Sequence, residues 1–321
     1  MKRHTKLLAG VLALSLLGAA CGDDDDGDDA SSDDAASDTT AAEIPDGPDI
    51  TIGAQDFGES LILSEIYAGA LDDRGYPADT TEVGGFRDLL LSAFDSGEIN
   101  FAVDYVASQL EFLNEGAGEA TSDVDETLAI LDPLLEQRQL VAGAPSEAVD
   151  TNAFVITQET SDDLDITTLS DLAEKGTDLT LGAPPDCESN GFCIPGLERV
   201  YGVDFTPNFT PLDFGVIPDS LNEGAIDVGV VSSTDGRLAD DSTGWVLLED
   251  DQGLFAADNI FPVYSQEVFD AYGSDLVALV DEISGELTTD DLIEMNKRYD
   301  VDKDDAEDIA DDWLNDHGFG D

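Results

Sequence analysis

Basic side chains are scarce in this chain: 321 residues carry 12 Lys and Arg against 74 Asp and Glu, a formal net charge of -62 at pH 7. A nucleic-acid reader needs a basic face, so that class is excluded. An anionic ligand would need a local basic pocket, and few residues are available to build one. Histidine is scarcer still. His4 stands at the amino terminus and His317 is the only other one, which excludes serine–histidine and cysteine–histidine catalysis. Cysteine occurs only at 21, 187 and 193. No apolar run is long enough to span a bilayer as a helix. What is abundant is acid, spread along the whole chain, as in the solvated shell of a protein from salty surroundings.

Hydrophobic residues make up 41% of the chain, enough to bury a core in one large or two medium domains. The first 21 residues read as a signal peptide. Lys2, Arg3 and Lys6 form a basic start, and Leu7 to Leu17 an apolar segment too short to cross a membrane. Gly18-Ala19-Ala20-Cys21 resembles the lipobox of bacterial lipoproteins, which implies lipidation at Cys21; an ordinary secretory cleavage nearby is the alternative. Residues 22–48 are almost all Asp, Ser, Ala, Gly and Thr, a composition that reads as a disordered acidic tether.

Cys187 and Cys193 then stand in the mature chain. In an exported protein two cysteines this close read as a disulfide. A metal site is the sharper alternative, but no histidine lies near. They bracket a loop between an apolar run, Leu179 to Leu181, read as a strand, and a helix from Gly196 to Tyr201 with Pro195 in its first turn. Ligands of open α/β sheets sit at such strand ends.

From Asp49 the chain alternates strand and helix signals. Strands are expected at Asp49 to Ala54, Thr80 to Val83 and Asn100 to Val106. Helical spacing follows each, and a longer amphipathic helix runs from Asp125 to Arg138. Asn152 to Thr157 opens a second series, with a helix over Leu169 to Lys175 and strands at Ala225 to Val231, Trp245 to Leu248 and Ile260 to Val263. The carboxyl end returns to helices, one from Leu287 to Arg298 capped by Thr288 or Thr289. Asp300-Val301-Asp302-Lys303-Asp304 lacks the glycine and glutamate of a calcium loop and reads as capping acids. This rhythm implies α/β architecture with mostly parallel sheets.

Several stretches together resemble the substrate-binding proteins of ABC importers for quaternary amines. They are Ile52-Gly53-Ala54-Gln55-Asp56-Phe57-Gly58-Glu59-Ser60, Thr151-Asn152-Ala153-Phe154-Val155-Ile156-Thr157, the loop from Gly182 to Leu197, Ser233-Thr234-Asp235-Gly236, Leu248-Glu249-Asp250-Asp251 and Leu287-Thr288-Thr289-Asp290-Asp291-Leu292. The resemblance spans roughly Asp49 to Gly318. It implies a two-lobed, type II periplasmic-binding-protein fold: two mostly parallel sheets with flanking helices and a cleft between lobes. Lobe one would hold 49–149 and 258–321, and lobe two 150–257.

The resemblance also implies the chemistry. A trimethylammonium group is held by aromatic faces and nearby carboxylates. Asp104-Tyr105 matches an acid–tyrosine pair at the family's cleft, and Phe57 a position at its rim. Asn152, Asp235, Asn190, Phe192, Phe86 and Phe214 complete the expected ligand set, the phenylalanines as a rebuilt aromatic cage. Phe154, on a strand, is expected in the core. Three positions depart from the family pattern. Phe86 follows the Gly-Gly turn where a small polar residue is common. Ser232 replaces an aromatic. Asn190 stands where relatives carry an arginine suited to gripping a carboxylate.

The implied function is a monomeric, lipid-anchored receptor on the extracytoplasmic face of the cell membrane. It would bind a quaternary amine such as choline or glycine betaine and serve an ABC permease and its ATPase. No cofactor, metal, catalytic residue or nucleic-acid partner is expected. Another polar solute such as an amino acid, a sensing role, or an enzyme on the same scaffold are the alternatives.

Overall fold

The apolar runs pair into two five-stranded sheets, each covered by helices on both faces. The computed structural model describes residues 44–85, 87–240 and 242–320. The signal segment, Cys21, the tether up to residue 43 and Phe86 lie outside the described residues.

The chain runs β1 (Ile50–Ala54), α1 (Gly58–Asp73), β2 (Ala78–Glu82), α2 (Arg87–Ser96), β3 (Phe101–Tyr105), α3 (Val106–Leu113), α4 (Val124–Glu136) and β4 (Leu140–Ala142). It continues through β5 (Asn152–Thr157), α5 (Gln158–Leu164), α6 (Leu169–Lys175), β6 (Leu181–Ala183), α7 (Ile194–Tyr201), β7 (Phe209–Pro211), α8 (Ile217–Asn222), β8 (Val228–Ser232) and β9 (Trp245–Leu247). It then returns with β10 (Ile260–Ser265), α9 (Gln266–Glu286), α10 (Thr289–Asn296) and α11 (Ala306–His317). The sheet orders are β2-β1-β3-β10-β4 and β7-β6-β8-β5-β9.

Both sheets are mostly parallel, as expected, and each is made mixed by a single reversed strand. In the first, β1 runs parallel to β2 and β3, while β10 runs antiparallel to β3 and β4. In the second, β6 runs parallel to β7 and β8, while β5 runs antiparallel to β8 and β9. The reason lies in the crossings. β5 and β10 are the first strands after the chain passes from one sheet to the other. A strand that enters from the crossing side must run away from it, opposite to its parallel neighbours. The two crossings lie side by side: Val149 bridges Asn259, and the Asp150 N–H donates to the Asp258 carbonyl at 3.2 Å.

Strands covered on both faces are largely apolar. Along β5, Phe154 and Ile156 face one cluster with Leu181, Val228 and the two cysteines, while Ala153 and Val155 face another with Ile217 and Leu221. The first sheet packs Ile50, Ile52, Phe101 and Tyr264 against α1, α9, α10 and α11 on one side, and Phe261 and Val263 against Leu131 and Leu135 of α4 on the other.

Several boundaries differ from expectation. β6 starts at Leu181 because the Leu179 N–H turns back to the Gly176 carbonyl, and pairing begins only where Leu181 meets Phe209 and Val228. The helix expected over 287–298 is α10, begun by a capping box between Thr288 and Asp291 and ended at Asn296 by a wider π-turn over Lys297–Asp302. In the Asp300–Asp304 stretch, Asp304 binds Arg298 and the neighbouring Asp305 stands at the N-cap of α11. β4, β7, α5 and the long α9 carried no clear sequence signal. Residues 44–48, placed in the tether by composition, lie on the fold: Ile44 packs against the first core, and the Tyr272 hydroxyl donates to the Pro48 carbonyl at 2.7 Å. Among the described residues no helix is long and apolar enough to cross a membrane.

Candidate functional site

The carboxyl ends of β1, β3 and β8 meet at a cleft of about 1540 Å³, lined from both sheets. This is where open α/β sheets hold ligands. The turn after β1 is fixed by its own side chains: the Gln55 N–H donates to the Ser60 hydroxyl at 2.9 Å. A Cβ on Gly58 would come within 2.3 Å of the Tyr299 ring. This tight seat swings Glu59, in the first turn of α1, under the cleft floor.

Glu59 is 6% exposed. Its Oε1 accepts from the Tyr105 hydroxyl at 2.7 Å and its Oε2 from the Asn296 side-chain amide at 2.6 Å. The same amide donates to the Thr234 carbonyl at 2.9 Å. One carboxylate thus ties α1 to β3, to α10 and to the loop after β8. Tyr105 presents its ring beside Phe57, centroids 6.3 Å apart. Asp150, at the first crossing, accepts from the Ser232 and Ser233 hydroxyls. Asp258, at the second crossing, accepts from the Ser108 N–H at 2.9 Å and hydroxyl at 2.5 Å.

The electrostatics are unbalanced. Among the described residues no Lys, Arg or His forms an ion pair with Glu59, Asp150 or Asp258. Burial pushes the Glu59 carboxyl above the usual range despite its hydrogen bonds. Burial and then the charge of Glu59 push Asp150 well up. Burial lifts Asp258 to about 6. Burial, and then the charge of Glu59, raise the Tyr105 phenol well above its normal value. Removing charged oxygens from water disfavours the ionised form unless a counter-charge arrives.

Of the expected ligand residues, Phe57, Tyr105, Asn152, Asn190, Phe192, Phe214 and Asp235 all line the cleft. Asp104 does not. It is 1% exposed, and Arg87, which itself lines the cleft, grips it through Nε at 2.9 Å and Nη2 at 2.5 Å. Asp235 is braced by Arg237 at 2.6 Å. Phe154 is buried in the core, stacked near Phe255. Cys187 and Cys193 are bonded to each other, Cα atoms 5.2 Å apart, which leaves no thiolate pair for a metal. The loop they close is held from within: Asn190 Oδ1 accepts from the Phe192 N–H at 2.9 Å. A Cβ on Gly196 would lie 2.3 Å from the Gly191 carbonyl oxygen, so α7 sits directly on this loop.

Sequence reasoning missed Glu59, Asp150, Asp258, Thr234 and Asn296 as site residues. Glu59 stood inside a stretch already singled out, and Asp150 at the expected crossing. Gln55 was missed too: it lines the cleft, and its buried Nε2 has no hydrogen-bond partner among the described residues.

Two sheets with crossing strands around a ligand-sized cleft define a two-lobed solute-binding protein. Residues 48–316 match the family described as the substrate binding domain of ABC-type glycine betaine transport systems. The chain belongs to this family, as the substrate-binding component of a transporter and not an enzyme. It is 27% identical over 287 residues to a glycine-betaine-binding protein of Pseudomonas aeruginosa, covering 86% of this chain and 90% of that one. It is 24% identical over 255 residues to a carnitine transport binding protein of Listeria monocytogenes, covering 78% and 81%. The fold matches a crystal structure of a glycine betaine/carnitine/choline ABC transporter protein with a TM-score of 0.74, at 24% identity over 85% of this chain and 100% of that one.

Proposed function

We propose that the chain captures a quaternary ammonium solute of the choline or glycine betaine type in the cleft between its lobes and delivers it to an ABC permease coupled to an ATPase. It works at the extracytoplasmic face as a monomer, held to the membrane by lipid on Cys21. The lobes divide at the crossings, 49–149 with 258–321 against 150–257. The observation that carries this reading is the pairing of aromatic faces, Phe57 and Tyr105, with carboxylates that form no ion pair with a basic side chain among the described residues, Glu59 and Asp150. A permanent cation that donates no hydrogen bonds is bound by ring faces and by charge, and this wall offers both. The names of the family and of the two relatives point to the same ligand class.

A ligand that binds only the folded state raises stability by mass action, about 2.7 kcal/mol at a hundredfold excess over Kd. Choline, glycine betaine and carnitine are therefore expected to raise the melting temperature, and neutral amino acids to leave it unchanged. A shift with amino acids and none across the amines would replace the proposed ligand class.

A further inference from the structure

This inference rests on the functional reading just given. We propose that the bound cation takes the place of a proton carried by Glu59 or Asp150, so that capture releases a proton and weakens as pH falls.

Both carboxylates line the same cleft. Among the described residues neither forms an ion pair with a Lys, Arg or His. Around Glu59 stand the Tyr105 hydroxyl, the Asn296 amide, Thr234 and the acid Asp300. Around Asp150 stand the Ser232 and Ser233 hydroxyls, Thr234, and the acids Glu59 and Asp258. The arginines that line the cleft are committed elsewhere: Arg87 to Asp104, Arg237 to Asp235, and Arg199 to the Gly191 carbonyl. The position of Glu59 at the start of α1 favours its charge, yet burial outweighs this and raises its affinity for a proton. Two interacting carboxylates with raised affinity for protons titrate as a pair.

A quaternary ammonium group cannot supply a hydrogen bond, so it satisfies this pair by charge alone. The exchange balances: one proton leaves the carboxyl pair for the solvent buffer, one ligand cation enters, and the net charge of the site is unchanged. The sign follows from the raised proton affinity. Below the pair's titration the carboxyls carry a proton that the ligand must displace. Above it the carboxylates are ionised and the ligand binds without competition.

The test is calorimetric titration of choline chloride into the full-length chain, in two buffers of different ionisation enthalpy, across pH 5 to 8. Close to one proton released per choline is expected on the acid side, with Kd rising about tenfold per unit fall in pH there. Glu59→Gln and Asp150→Asn are each expected to bind more weakly and to flatten this dependence. Binding of choline with no proton release and a constant Kd would overturn the exchange while leaving the functional reading in place. Absence of binding by choline and by glycine betaine would overturn both.

Discussion

Gly236→Ala is expected to destabilise the protein by about 2–3 kcal/mol, the scale of overpacking a tight contact, and to lower the melting temperature by roughly 5–10 °C. A Cβ at 236 would lie 2.2 Å from the Lys297 nitrogen and 2.4 Å from its Cα. These are backbone atoms, so no side chain can swing away. The contact joins the loop after β8 to the end of α10, beside the Asn296 amide that bridges Glu59 and the Thr234 carbonyl. Forcing it apart loosens the floor of the cleft, so ligand affinity is expected to fall with stability. Gly285→Ala is the control. Gly285 is helical with nothing within 4 Å of the added Cβ, and alanine there is expected to raise stability by about 0.4–1 kcal/mol. Equal melting temperatures for the Gly236 and Gly285 variants would contradict the close approach.

The second large effect is expected from salt. With a formal charge of -62, the folded chain concentrates repulsion that the unfolded chain dilutes. The ion pairs among the described residues use only Arg87, Arg138, Lys175, Arg237 and Arg298, so most acids face other acids or water. Raising ionic strength from about 0.1 M to 1 M shortens the screening length from about 10 Å to 3 Å. Screening weakens those few exposed attractions, each worth about 1 kcal/mol or less, and relieves many repulsions. Stability is expected to rise by about 3 kcal/mol or more over this range, read as a steady increase in melting temperature with sodium chloride. A flat titration would show that the acids are too dispersed to matter.

How far the sequence disclosed the molecule depended on distance along the chain. β5 over Asn152–Thr157 and α6 over Leu169–Lys175 were read to the residue, because an apolar run and a helical repeat are local patterns. The Thr288 cap was legible for the same reason. The mostly parallel character of the sheets was legible, but the one reversed strand in each was not, because the direction of β5 and β10 is set by where the crossings deliver them. α9 stayed hidden because Gly273 interrupts it at a positive φ of 63°. In the site, Phe57, Tyr105, Phe192 and Phe214 could be placed at the cleft because they stand at turns and strand ends. Asp104 could not be separated from Tyr105: adjacent strand residues point to opposite faces, and what covers each comes from far along the chain or from another element, Arg87 on Asp104 and Glu59 on Tyr105. The Glu59–Asn296 bond spans 237 positions and leaves no local trace.

The central claim is that a quaternary amine is held by the Phe57–Tyr105 wall over Glu59. Calorimetric titration of the full-length chain and of Tyr105→Ala with choline and with glycine betaine tests it most directly. The account predicts one site in the parent protein and a loss of about 1–2 kcal/mol, roughly 5- to 30-fold in Kd, in the variant. Unchanged affinity in Tyr105→Ala, or no binding of either amine to the parent, would contradict it.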